Sequence, residues 1–154
     1  QPKFRSVIAR DLILESLAIV EPEFGDAGIK MITRLDRAGA KIWGDPDLIK
    51  HVLLNLLQNA KNAMPEGGRI TLFSRGAPDM MQIGIKDTGT GIAPEKLEKI
   101  FEPFYTTRKS GTGLGLPIVQ KIIRSHGGKV RVRSTAGEGT TFTVHLPYGE
   151  YAGR

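Results

Sequence analysis

Three asparagines, Asn55, Asn59 and Asn62, share one stripe of the segment HVLLNLLQNAKNAM, beside its apolar face and not within it. Asparagine is a mediocre helix former because its amide competes for backbone hydrogen bonds, so such a stripe asks for a reason beyond folding. Solvent or a neighbouring loop is one answer. Ligation is the other: an amide oxygen is a hard, neutral donor that suits Mg2+ holding a triphosphate, since that ion takes few protein ligands and keeps its waters. Lys61 points about 200° from Asn59 and reads as a solvated lysine, not a phosphate contact.

In QIGIKD, period-two alternation puts Asp87 on the side that Ile83 and Ile85 bury. A buried carboxylate needs donors. Capping the following turn is one use; accepting from an exocyclic amino group such as that of adenine is another, with Gly89 and Gly91 removing side chains so that a flat base approaches closely. A second cluster, GTGLGL, sets Gly111, Gly113 and Gly115 before an apolar-periodic helix whose first N–H groups suit phosphate oxygens. It is not a Walker loop, because no Gly-Lys-Ser/Thr follows, and DTGTGI is no dinucleotide fingerprint, because Pro94 follows and the strand-turn-helix context is missing. Between the clusters, FEPFYTTRKSG has two phenylalanines, Phe101 and Phe104, to anchor a loop and two cations, Arg108 and Lys109, to reach phosphates; it resembles a mobile lid, with an ordinary surface loop as the alternative.

The elements that must position these residues are legible in outline. Leu12 to Val20 reads as a short amphipathic helix, capped by Asp11 and stopped at Glu21-Pro22. Residues 29 to 43 read as a strand pair turned through Asp36 to Gly39. A second helix begins at Asp45-Pro46, an acidic cap with proline at the first position, and runs to about Met64. Its core face is Ile49, Val52, Leu53, Leu56, Ala60 and Ala63. Residues 69 to 74, 81 to 87, 129 to 134 and 140 to 146 read as strands. Leu114 to His126 reads as a helix ending at Gly127-Gly128. Together they predict a mixed sheet with helices covering one face.

At 154 residues the chain fits one domain. It has no cysteine, which excludes disulfides and thiolate metal sites and agrees with a reducing cytoplasm. With no run of about eighteen apolar residues and no secretory signal, it reads as soluble and cytoplasmic. Lys and Arg number 22 against 16 Asp and Glu, and the resulting +6 favours an anionic partner. The excess is spread along the chain with no arginine tract interleaved with aromatics, so direct nucleic-acid binding is not expected.

Taken together, the asparagine helix, Asp-x-Gly-x-Gly, Phe-x-Pro-Phe and Gly-x-Gly-Leu-Gly-Leu stand in the order of the N, G1, F and G2 boxes of sensor histidine kinases. From residue 7 to 147, closing with GEGTTFTVHLP, the chain resembles the catalytic and ATP-binding domain of the two-component kinases, nearest the nitrogen-regulation type. The resemblance implies an α+β fold, a two-layer α/β sandwich whose mixed, mostly antiparallel sheet is covered on one face by about three helices, shared with gyrase, MutL and heat-shock chaperone ATPases. It divides the chain into 1-10, the exit from a dimerisation helix not present here, 11-147, the catalytic ATP-binding domain, and 148-154, a C-terminal tail.

The resemblance also implies ATP and Mg2+ as cofactors. Asn59 would ligate the metal, with Asn55 supporting the phosphates or the ion. Asp87 would accept from the adenine amino group, Gly89, Gly91 and Ile92 would shape the base pocket, and Thr140 or Thr141 would assist through water. Gly111, Thr112, Gly113, Leu114, Gly115 and Leu116 would close over the triphosphate, beside Thr107, Arg108 and Lys109 of the lid. No side chain is assigned as catalytic; Arg108 and Lys109 are the candidates for phosphate contact.

Two departures matter. Many histidine kinases carry a lysine three residues after the magnesium asparagine, where this chain has Asn62, which shifts weight onto Arg108 and Lys109. The ATPase relatives carry a glutamate base four residues before that asparagine, where this chain has Asn55. An amide cannot take a proton from water, so phosphoryl transfer is expected in place of hydrolysis. The acceptor would be a histidine followed by an acidic residue on a dimerisation domain, and His51, His126 and His145 lack that context; His51, on the asparagine stripe, reads as a partly exposed helix histidine with a place near the nucleotide as the alternative, and the other two read as structural. The expected partners are that dimerisation domain of the parent protein and a response regulator downstream, with the domain monomeric in isolation and the parent open to membrane anchoring. Two other readings are an ATP-binding regulatory module without kinase activity and an ATP-hydrolysing clamp of the gyrase or MutL type.

Overall fold

A computed structural model describes residues 1–37, 39–105 and 115–149. The helix that carries the asparagines, α2 (Pro46–Asn62), starts as its sequence requires: the Asp45 carboxylate accepts from the N–H of Asp47 at 2.9 Å and of Leu48 at 3.3 Å, with proline in the first turn. Ile49, Val52, Leu53, Leu56 and Ala60 are buried as the periodicity predicts, and Leu57 joins them. Ala63 closes the helix and is half-buried. Lys61 does point away from the asparagine stripe, but it is ion-paired with Glu23 at 3.2 Å and not simply solvated.

Glu23 belongs to α1 (Ala9–Asp26), which runs through Pro22 where a stop was expected. Proline inside a helix removes one hydrogen bond and costs about 3 kcal/mol. The extra turn places Phe24 in the core with no exposed surface, and burying such a side chain offsets most of that cost. Ile8 is the residue before the helix, and Asp11 lies within its first turn instead of capping it.

Five strands form the main sheet in the order β2 (Ile29–Leu35), β4 (Gly68–Gly76), β5 (Met80–Asp87), β7 (Gly139–Pro147) and β6 (Lys129–Thr135). The β2–β4 pair is parallel and the other pairs are antiparallel. The expected pairing of the two strands between residues 29 and 43 is not formed. After β2 the chain turns out of the main sheet, and β3 (Lys41–Gly44) pairs instead with β1 (Arg5–Ile8), which lies in the stretch expected as a helix exit. The partner of β2 comes from beyond α2, as a crossover to a parallel neighbour demands. Its end is pinned there by Ser74, whose hydroxyl donates to the Asp36 carbonyl at 2.7 Å.

The helices α1, α2 and α4 (Gly115–Ser125) cover one face of the sheet, giving the two-layer α+β sandwich expected. A short helix, α3 (Pro94–Leu97), follows the first glycine cluster and was not foreseen. Inward side chains alternate along each strand: Ile70 and Leu72, then Met81, Ile83 and Ile85, then Phe142, Val144 and Leu146 are buried against the helices. No described helix is long and apolar enough to cross a membrane.

Candidate functional site

Because α2 lies across the sheet with its core face down, its asparagine stripe faces sideways, towards the loop after β5 and the start of α4. Asn55, Asn59 and Asn62 line one cavity of 510 Å³, within the usual range for a small-molecule site, and Gln58 completes the stripe at i+3 from Asn55 and i+4 before Asn62. The helix therefore presents four carboxamides to the cavity. Gln58 shares the asparagines' spacing, which was the signal available for it. The cavity continues past Asp87, Gly91, Ile92 and Thr140 to Gly115 and Leu116.

Asp87 ends β5 on the buried side with Ile83 and Ile85, as parity predicts, and is 4% exposed. Its Oδ1 accepts from the Gly89 N–H at 2.8 Å and the Thr140 N–H at 3.2 Å. Both bonds end on one oxygen, which leaves the other to a donor in the cavity. Burial raises the pKa of the carboxyl above its ordinary value, against the pull of those two N–H groups.

The glycines beside it serve backbone approach more than base access. A Cβ at Gly89 would lie 2.5 Å from the Ala63 carbonyl oxygen, the atom that accepts from the Thr90 N–H at 3.0 Å. At Gly91, whose φ is +71°, a Cβ would run into the Thr135 carbonyl. The loop is thereby clamped between the end of α2 and the β6–β7 hairpin. Ile92 is fixed by its own N–H, which donates to the Ser134 hydroxyl at 2.7 Å, and that hydroxyl lies 2.8 Å from Thr140 Oγ1.

Thr140 thus reaches the site through both backbone and side chain. Thr141 does not: one residue further along β7, it points to the opposite face of the sheet, as period-two geometry requires, and is not part of the cavity wall. The wall also includes Thr90, Ala93, Lys96, Ile100, Tyr105 and Phe142, unassigned by the sequence. Lys96, on the unforeseen α3, places a cation there. Thr107, Arg108, Lys109, Gly111, Thr112, Gly113 and Leu114 lie outside the described residues.

None of the three histidines lines the cavity. His126 is buried; its Nε2 accepts from the Asp45 N–H at 3.1 Å, so Nδ1 carries the proton donated to the Ile122 carbonyl at 2.8 Å, and Phe4 stacks on the ring. His51 is exposed on α2 and does not line the cavity. His145 lies on the face of β7 away from the cavity.

Residues 44–150 match the family model of the histidine kinase-, DNA gyrase B- and HSP90-like ATPases, most of the chain. The chain belongs to this ATPase family. Its likeness within the family is to sensor histidine kinases. It is 40% identical over 144 residues to the sensor histidine kinase ZraS of Salmonella typhi, covering 93% of this chain but 31% of ZraS. The solved catalytic domain of the histidine kinase ThkA matches with a TM-score of 0.87 and 34% identity, over 94% of this chain and 95% of that domain. The structure of ThkA in complex with the response regulator TrrA matches with a TM-score of 0.85 and 30% identity, over 98% of this chain and 43% of that one. This member of the family is an ATP-binding catalytic domain of the sensor histidine kinase type; neither the regulatory module nor the hydrolysing clamp is favoured.

Proposed function

We propose that this domain holds Mg-ATP in the cavity between α2, β5 and α4 and presents the γ-phosphate to a histidine on a dimerisation domain of a longer parent protein. One observation carries the choice of transfer over hydrolysis: α2 faces the cavity with four carboxamides and no carboxylate. Asp87 is the one carboxylate on the described wall, and its Oδ1 is occupied by two backbone N–H groups. None of the α2 side chains that line the cavity can take a proton from an attacking water.

The residues suit each part of the ligand. Asp87 accepts from the adenine amino group through Oδ2, between Ile92, Gly91 and Thr140. Among the described residues no three His, Cys, Asp or Glu gather into a metal cage. Neutral amides fit an ion that is bound largely by phosphates and water, and Asn59 would hold it, with Asn55 and Asn62 beside it. When bound, the metal supplies charge neutralisation on the phosphates. Gly115 and Leu116 open α4 towards the phosphate end, and Lys96 offers a cation there or at the ribose, in the role that Asn62 cannot fill. Positioning and charge neutralisation then account for most of the rate, with any base on the acceptor domain. Arg108, Lys109 and the glycines of the second cluster are assigned to the lid on their motif alone.

A response regulator is the proposed downstream partner, by likeness to ThkA, which is known in complex with TrrA. A cytoplasmic position in the parent is proposed with it. A phosphate-release assay on the isolated domain with ATP and magnesium tests the carboxamide reasoning: ATP is expected to bind without steady turnover. Sustained release at rates of an ordinary ATPase would favour the clamp reading.

A further inference from the structure

The net positive charge that looks dispersed in the sequence is gathered by the fold onto one surface. On the face of the main sheet away from the helices stand Lys30 and Arg34 of β2, Arg69 and Arg75 of β4, and Lys86 of β5. The edge strand β6 adds Lys129, Arg131 and Arg133, all exposed and alternating with half-buried residues. No strand position on this face is acidic, and none of the eight cations is ion-paired among the described residues.

Folding does not call for this arrangement. Lys30 stands directly across from Arg69, and three cations follow one another at alternate positions along β6, where like charges destabilise a sheet. Hydroxyls stand across from two of them: Arg131 pairs with Thr143 and Arg133 with Thr141, while Lys129 pairs with His145. A basin of 890 Å³ opens among Arg34, Arg69, Arg75 and Lys86, with Asp36 at its rim. His145, on the same face, has its pKa lowered by burial and by Lys129 and Arg131.

We propose that this face docks on an anionic phospholipid bilayer, its guanidinium and ammonium groups and threonine hydroxyls engaging lipid phosphates. Five of the eight cations are arginines, whose forked donors match phosphate oxygens. Five strands span a face about 20 Å across, with charge on four of them, which suits a planar array of anions more than a groove. A protein partner would call for an apolar, aromatic centre, whereas the large apolar side chains here are Ile32, Phe73 and Met80, and Arg75 lies over the Phe73 ring at 4.8 Å. That same cover removes the stacking platform that single-stranded nucleic acid uses. The surface is separate from the nucleotide cavity, so this inference stands or falls independently of the phosphotransfer reading.

The test is sedimentation with vesicles of phosphatidylcholine carrying about 30% phosphatidylglycerol, against pure phosphatidylcholine, at about 0.15 M salt. The wild-type domain should sediment with the anionic vesicles and stay in solution with the neutral ones. The combined variant Lys129→Gln, Arg131→Gln, Arg133→Gln should bind about a hundredfold more weakly, at about fivefold for each cation near the surface. Its ATP affinity, by calorimetry, should be unchanged because β6 points these side chains away from the cavity. Arg34→Gln with Arg69→Gln, at the other edge, provides a second variant, expected to lose about twenty-five-fold. Equal sedimentation with both vesicle types, or wild-type binding by the two variants, overturns the proposal. Tighter retention by duplex DNA than by vesicles at matched phosphate concentration also overturns it, in favour of nucleic acid.

Discussion

Asp87→Asn separates a base-reading carboxylate from one that merely caps a turn. In the variant, the amide oxygen can keep both bonds that Oδ1 now accepts, from Gly89 at 2.8 Å and Thr140 at 3.2 Å. The NH2 group then takes the place of Oδ2 and meets the adenine amino group donor to donor. A hydrogen bond to a charged group contributes about 1.5–3 kcal/mol, so ATP should bind about ten- to a hundredfold more weakly. Inosine triphosphate presents a carbonyl where adenine has its amino group, so the variant should bind it as well as or better than ATP, reversing the preference. Stability should not fall. The folded carboxyl has a raised pKa, so at neutral pH its ionised form opposes folding, a cost full above the folded pKa, relieved as pH falls from there towards the ordinary carboxylate value and absent below that value, and the amide removes it. Calorimetry with both nucleotides and a thermal melt measure all three quantities. A folded variant that still prefers ATP would refute the base contact, and one that loses stability while keeping ATP affinity would make Asp87 a turn cap.

Other perturbations probe neighbouring parts of the site. Asn59→Ala should lower ATP affinity about tenfold or more with magnesium present, since even outer-shell changes at metal sites cost that much, and hardly at all with a chelator; equal losses in both calorimetric titrations would remove Asn59 as ligand. ATP affinity of the wild type should weaken on acidification as Asp87 takes up a proton at a pKa above the usual carboxylate value, while Asp87→Asn should show no such component in the same pH series. Asp45→Ala removes the cap of α2 and the acceptor of the Lys3 N–H at 2.8 Å; a loss of about 1–2 kcal/mol should lower Tm by about 2–8 °C in a thermal melt, and an unchanged Tm would contradict the capping role.

How much of this was legible depended on the range of the interactions. The start of α2, its core face and the asparagine stripe follow from a cap, a proline and a 3.6-residue period, all within one segment. The placement of Asp87 with Ile83 and Ile85 follows from two-residue alternation, and the same rule, applied further along the chain, separates Thr140 from Thr141. The pairing of β2 with β4 was not legible, because it is set by a crossover through α2 and not by the turn at Asp36. Pro22 within α1 was misjudged because local propensity favours a stop, while Phe24 finds its place in the core only if the helix continues. The same limit hid the basic face: each cation occupies an outward strand position, but only the strand order brings β2, β4, β5 and β6 into one surface.

Phosphoryl transfer is the central claim, and it is tested most directly by supplying the acceptor. The domain is incubated with γ-labelled ATP, magnesium and the separately prepared dimerisation domain of its parent protein, and acid-labile, base-stable phosphate is then measured on each chain. Label is expected on a histidine of the added domain, lost with Asn59→Ala, and none on the 154-residue chain alone. ATP bound with the affinity of the wild type and no label on the acceptor, or phosphate released to water in its place, would contradict the assignment.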